Sequence, residues 1–175
     1  MACTRRARDV RRLILLRHAK SDYPPGVRDH DRPLNARGRR DAPAAGAWLR
    51  DNVGEIDVVL VSSAARAQQT WQLAGESVRV VDEVCTEPRI YEAATSTLLD
   101  VVRTIPDSAH SALLVGHNPA LADLAARLAT DGDPEALGRM AMKYPTSGIA
   151  VLEGDGSWAD LARSACLQAF AVPRG

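Results

Sequence analysis

The sequence predicts an α/β fold, a single domain in three layers with helices on both faces of a mainly parallel central sheet. Length is the first reason: 175 residues can bury one substantial core without dividing into independent units. The second is a set of short, wholly apolar runs, Leu13-Ile14-Leu15-Leu16, Val58-Val59-Leu60-Val61, Ala112-Leu113-Leu114-Val115 and Ile149-Ala150-Val151-Leu152. Such runs read as strands covered on both faces. The third is their alternation with helix-prone segments, the pattern of a parallel sheet with crossover helices.

Taken in order, Leu13–Leu16 is a buried strand that stops abruptly at Arg17-His18. Residues 21 to 33 are polar and rich in Pro, Gly and Asp, a long loop of the kind that often carries function. Asn35 caps a helix running to about Asp51, its apolar face built from Ala42, Ala45, Gly46 and Leu49. Pro43 within that helix argues for a kink or for two shorter pieces, since an interior proline costs about 3 kcal/mol. Asn52 and Gly54 give the stop signal, and Val58–Val61 is a second strand ending at Ser62-Ser63. A helix over Ala64–Leu73 and a third strand over Val78–Val81 follow. Ser96–Thr104 reads as a helix capped by Ser96 or Thr95, and Ala112–Val115 as a strand ending at Gly116-His117. Pro119 stands where the next helix begins, and that helix extends to Ala129. Residues 131–145 look irregular, and Ile149–Leu152 is a strand entering a hairpin around Trp158 through Gly154-Asp155-Gly156.

Composition narrows the function classes. Apolar residues at 46% and charged residues at 25% describe a folded, not a disordered, chain. Lys+Arg and Asp+Glu both number 22, so no overall field holds nucleic acid or an anionic membrane, and an anion site must be built locally. Residues 1–12 carry Arg5, Arg6, Arg8, Arg11 and Arg12 without the apolar stretch of a secretory signal; they read as a solvated, mobile tail. No segment has the continuous apolar length of a membrane span, and a monomer is expected. Cys3, Cys85 and Cys166 are widely spaced, which suggests neither a disulfide framework nor a zinc site, and a reducing cytoplasm is the simplest setting.

Chemistry concentrates where strands end: Arg17-His18, Ser62-Ser63 with Arg66 nearby, and Gly116-His117. In an open parallel sheet, the carboxyl ends of the strands form the crevice where ligands bind. Two arginines and two histidines converging there suit a phosphoryl anion, because guanidinium forks match phosphate oxygens and stay charged. A neutral imidazole among them is a nucleophile toward phosphorus, and a second, protonated one adds a donor in the transition state. No metal or other cofactor is needed, and the spacing of Asp22, Asp29 and Asp31 lacks the complementary pattern of a metal loop.

These residues carry a resemblance. Leu15-Leu16-Arg17-His18-Ala19-Lys20-Ser21, the run from Ser62 to Thr70 (Ser-Ser-Ala-Ala-Arg-Ala-Gln-Gln-Thr) and Val115-Gly116-His117-Asn118-Pro119 resemble the three signature segments of the histidine phosphatase superfamily, whose fold is phosphoglycerate mutase-like. The short chain and Arg-His-Ala-Lys-Ser are similar to its branch of small phosphohistidine phosphatases, the SixA-like proteins. The likeness runs in order from about Leu13 to Leu152, and Ala19, where the family commonly has Gly, is a departure shared with that branch. The resemblance implies a phosphatase domain over residues 13–175, with His18 phosphorylated, Arg17 and Arg66 holding the phosphate and His117 as the second pocket histidine. It also makes Glu92, in Arg89-Ile90-Tyr91-Glu92, the candidate general acid, although members near SixA can lack one; otherwise Glu92 is a surface carboxylate. An acid is dispensable when the leaving group is imidazole, which departs more readily than an alkoxide.

The expected partner is therefore a phosphorylated protein or a small phosphorylated metabolite. A phosphate-binding module without turnover is the competing class, and no sequence feature favours it. Lys20 and Arg32 on the long loop, and His30 among its charges, read as solvent-facing. Asn118 either donates to phosphate or caps a helix, and Thr146-Ser147-Gly148 either borders the pocket or forms a turn.

Overall fold

In the computed structural model, which describes residues 10–175, Leu13, Ile14, Leu15 and Leu16 are all completely buried. Successive strand side chains point to opposite faces. A run with no exposed member therefore needs cover on both. The strand that contains it, β1 (Val10–Arg17), lies inside a sheet of seven strands. The others are β2 (Ile56–Val61), β3 (Val80–Thr86), β4 (Ser111–Gly116), β5 (Ala129–Gly132), β6 (Ile149–Asp155) and β7 (Ala165–Ala171), in the spatial order β3-β2-β4-β1-β6-β7-β5. β3, β2, β4 and β1 are mutually parallel; β6 is antiparallel to both β1 and β7, and β5 runs parallel to β7. β6 is thus the one reversed strand of the sheet.

Among the described residues six α-helices cover it: α1 (Ala36–Asn52), α2 (Ala65–Ala74), α3 (Thr95–Arg103), α4 (Ala120–Leu128), α5 (Pro134–Met142) and α6 (Trp158–Leu161). Leu13 and Leu15 share a core with Leu98 and Val102 of α3, Leu121 and Leu124 of α4, Met140 of α5 and Trp158 of α6. Ile14 and Leu16 pack on the opposite face with Ala45 and Leu49 of α1 and Ala67 of α2. The alternation along β1 thus separates the two helical layers, and the three-layer α/β/α architecture stands.

The Asn35 side chain accepts from Gly38 N and caps α1 as expected. Pro43 does not divide this helix. It lies on the exposed face, so the carbonyl deprived of a partner by the missing N–H is on the water side.

Other expectations are corrected. β1 begins at Val10, not Leu13, so the basic tail is shorter than 1–12; residues 1–9 lie outside the described part of the chain. Arg11 is buried and donates to His110 Nδ1 at 2.6 Å and Asp107 O at 2.9 Å, while Arg12 pairs with Glu153 at 2.7 Å. Residues 131–145 are not irregular, because β5 and α5 occupy most of them, with Asp133 capping α5 through Ala136 N. Neither Thr95 nor Ser96 caps α3; the extended residue before it is Ala94, and no side chain caps it. The third strand is displaced toward the C-terminus, and the connection at Trp158 is a short helix with a capping box, Ser157 and Asp160, instead of a tight hairpin. Trp158 is buried, its indole N–H donating to Ala109 O at 3.1 Å.

Candidate active site

Register places the site. Arg17 pairs with Gly116 and Val61 with Val115, so His18, Ser62 and His117 each lie one step beyond the ends of adjacent parallel strands. The backbone continues the stitching, with His18 N donating to Gly116 O at 3.0 Å and Ser62 N to Val115 O at 3.0 Å. Buried Thr70 of α2 accepts from Ala19 N at 2.9 Å and donates to Arg66 O at 2.6 Å. The two signature segments are thereby joined through one hydroxyl.

The rings of His18 and His117 are 5.0 Å apart between centroids. His18 is buried, and its Nδ1 lies 2.7 Å from Ala19 O. A carbonyl only accepts, so the proton sits on Nδ1 and Nε2 keeps its lone pair. Burial, joined by the charges of His117, Arg66 and Arg17 and opposed only by the Ala19 bond, pushes the His18 pKa down to about 3. The ring is neutral at working pH. His117 is lowered to about 4, first by burial and then by Arg66, with Asp29 opposing. Its Nε2 is 2.8 Å from Ser62 Oγ, and its buried Nδ1 has no protein partner. With the Ser62 hydroxyl donating to Nε2, a neutral His117 still offers an N–H from Nδ1, so the protonation expected of it is unnecessary.

Arg17 donates through Nη1 to Tyr144 O at 2.8 Å, and its buried Nε is likewise unpartnered. An unsatisfied buried polar group costs about 1–3 kcal/mol. The Arg17 and His117 donors are both in that condition. Buried Arg66, from the first turn of α2, donates to Asp29 O at 2.6 Å and Asp29 Oδ2 at 3.0 Å. Arg66, His117 and Glu92 line one cavity of about 310 Å³ together with Asp29, Tyr91 and Asn118. Glu92 has φ +52°, a left-handed conformation uncommon outside glycine, which sets it in the cavity wall after Tyr91.

Three of the five expected site residues, Arg66, His117 and Glu92, thus line the cavity, with His18 in ring contact with His117 and Arg17 close enough for its charge to act on both histidines. Three neighbours were not foreseen. Arg66 donates to Asp29, Tyr91 donates to Asp29 at 3.0 Å and forms a T-shaped ring pair with His117, and His30 is partly buried, its Nε2 3.0 Å from Ser63 Oγ. The solvent-facing readings of His30 and Arg32 are therefore corrected, since Arg32 bonds Asp29, Ser21 and Asp22. For Asp29 and His30 the signal available was the length of the loop alone, and for Tyr91 its place beside Glu92. Of the open alternatives, the Asn118 amide donates to Tyr144 O at 3.0 Å, and Ser147 N bonds the Arg17 and His18 carbonyls from a turn before β6. Among the described residues, no helix is long and apolar enough to cross a membrane.

A mainly parallel sheet with two histidines and two arginines at one rim is the arrangement of a phosphoryl-handling enzyme, and residues 13–97 match the histidine phosphatase superfamily (branch 1). The chain belongs to that superfamily and is a phosphatase. Within it, the likeness is to SixA. A protein of Nakamurella multipartitia assigned as the phosphohistidine phosphatase SixA is 36% identical, with a TM-score of 0.81 over 94% of this chain and 96% of that one. Its counterpart from Agrobacterium tumefaciens is 32% identical, with a TM-score of 0.75 over 93% and 98%. An uncharacterized protein of Mycobacterium tuberculosis is 44% identical over 91% of this chain and all of its own length.

Proposed function

We propose that the chain hydrolyses phosphohistidine in proteins through a phosphoryl-enzyme intermediate on His18. The observation that carries this reading is the Ala19 carbonyl on Nδ1, which leaves Nε2 as a free lone pair beside Arg17, Arg66 and His117. Nε2 attacks phosphorus in line while the P–N bond to the substrate ring breaks and its electron pair returns to that nitrogen. The leaving imidazole departs neutral if its distal nitrogen already carries a proton, so no enzyme acid is required. Water then displaces phosphate from His18, and the ring returns to its neutral form. Arg17, Arg66 and His117 Nδ1 bind the phosphoryl oxygens throughout.

For an ester the departing oxygen needs a proton, and Glu92, which lines the cavity, is the candidate donor. A small phosphorylated metabolite is accordingly the second reading. Incubation with radiolabelled phosphohistidine protein and with a panel of sugar phosphates separates the two. The expected result is faster phosphate release from phosphohistidine, label trapped on the wild type and none on His18→Ala. Wild-type labelling of His18→Ala would remove the nucleophile, and a preference for sugar phosphates would favour the metabolite. Arg17→Ala and Arg66→Ala are each expected to lower kcat/KM by about 10²–10³.

A further inference from the structure

The loop before α1 lines the cavity through Asp29, which bonds Arg66 twice: once through its carbonyl and once through its carboxylate. We propose that Asp29 is a positioning residue, holding the Arg66 guanidinium in the orientation that receives the phosphoryl group. The inference rests on the reading of Arg66 as a phosphate holder given above.

A guanidinium has five N–H groups in one plane. Two fixed bonds to Asp29 set the direction of that plane, and the remaining donors, with no protein partner among the described residues, are free for an anion in the cavity that Arg66 lines. An arginine held in advance loses less side-chain freedom when substrate binds. Asp29 is itself held. Arg32 Nη1 donates to its Oδ1 at 2.7 Å and Tyr91 OH to its Oδ2 at 3.0 Å. Arg32 is in turn fixed by Ser21 Oγ at 2.6 Å and Asp22 O at 2.9 Å, and its guanidinium lies 3.4 Å over the Tyr23 ring. The next residue, His30, anchors the same turn on Ser63 and meets Tyr91 edge-on at 4.8 Å. Burial alone would raise the Asp29 carboxyl, but the bonds from Arg32, Tyr91 and Arg66 outweigh it and bring the pKa down to about 2. Asp29 is thus an acceptor at working pH and no source of protons.

The opposite reading, a carboxylate that competes with phosphate for Arg66, predicts the opposite sign. The test measures kcat/KM and the inhibition constant of inorganic phosphate for wild type, Asp29→Ala, Asp29→Asn, Arg66→Ala and the Asp29→Ala/Arg66→Ala double variant. Asp29→Ala is expected to lower kcat/KM and weaken phosphate binding by about tenfold each. Asp29→Asn, which keeps an acceptor oxygen, should recover part of both. In the Arg66→Ala background the Asp29→Ala change should cost less than about twofold, because a residue acting through another has nothing left to act on. Tighter phosphate binding in Asp29→Ala, or a full loss without Arg66, overturns the proposal. Should Arg66→Ala itself behave as wild type, the phosphate pocket and the proposed function fall with it; a silent Asp29→Ala beside a crippled Arg66→Ala removes this inference alone.

Discussion

A histidine is ambiguous until both ring nitrogens are accounted for. His18 resolves the ambiguity with one main-chain bond, since Nδ1 at 2.7 Å from Ala19 O must be the protonated nitrogen. The same bond keeps the ring from rotating and directs Nε2 away from the backbone. Nitrogen-15 NMR of the folded protein is accordingly expected to show a neutral His18 ring with pyrrole-type Nδ1 and pyridine-type Nε2, unchanged between pH 7 and 5. A proton on Nε2, or titration near the ordinary imidazole value, would contradict the nucleophile geometry. Legibility at this scale was uneven. The Arg17-His18, Arg66 and His117 positions were readable because each follows an apolar strand, whereas Asp29 sits in a charged loop where spacing says nothing about which acid meets which base.

Between elements, two glycines of α1 decide how closely its neighbours approach. A Cβ on Gly46 would lie 2.1 Å from Ala74 O at the end of α2, and one on Gly38 would lie 2.1 Å from Lys20 O. Helix propensity favours alanine over glycine by about 1 kcal/mol. Both conflicts are with main chain, which cannot rotate away, so overpacking at roughly 1–3 kcal/mol should win. Gly46→Ala is expected to lower the urea midpoint at an unchanged slope; a raised midpoint would show that the helices separate at little cost. Gly38→Ala adds a functional loss, because Lys20 continues directly from His18-Ala19. The apolar strands and α1 were legible from periodicity, since burial on both faces or on one stripe leaves a repeating signature. β5 was not, for Ala-Thr-Asp-Gly has no apolar pattern and owes its conformation to pairing with β7. α5 did carry a local signal, Asp133 followed by Pro134 and Glu135, which is a helix start. β3 is an edge strand with Val81 and Val84 half-exposed, so neither alternation nor a continuous run marks its limits.

Across the whole molecule, parallel β1, β2 and β4 deliver their chemistry to one rim, where the two helical layers bury His18 and leave His117 partly buried in the cavity wall. Folding therefore demands that His18 and His117 be uncharged, and stability becomes coupled to pH. Their folded pKa values, about 3 and about 4, lie below the 6.5 of a free imidazole, so between these limits the unfolded chain binds more protons than the folded one. Stability is complete above the unfolded value and declines as pH falls, by up to about 1.4 kcal/mol per pH unit for each group. Asp29, lowered to about 2, acts in the same direction, but only below the ordinary carboxylate value of 3.8. Between pH 6.5 and 4.5 both histidines contribute to the slope. The urea midpoint is expected to be lower at pH 5 than at pH 7, and His18→Gln, which has no ring to titrate, should flatten the dependence. A wild-type midpoint that stays level from pH 7 to pH 5 would mean that the rim admits water to these rings, and with it that His18 is not held as a desolvated base.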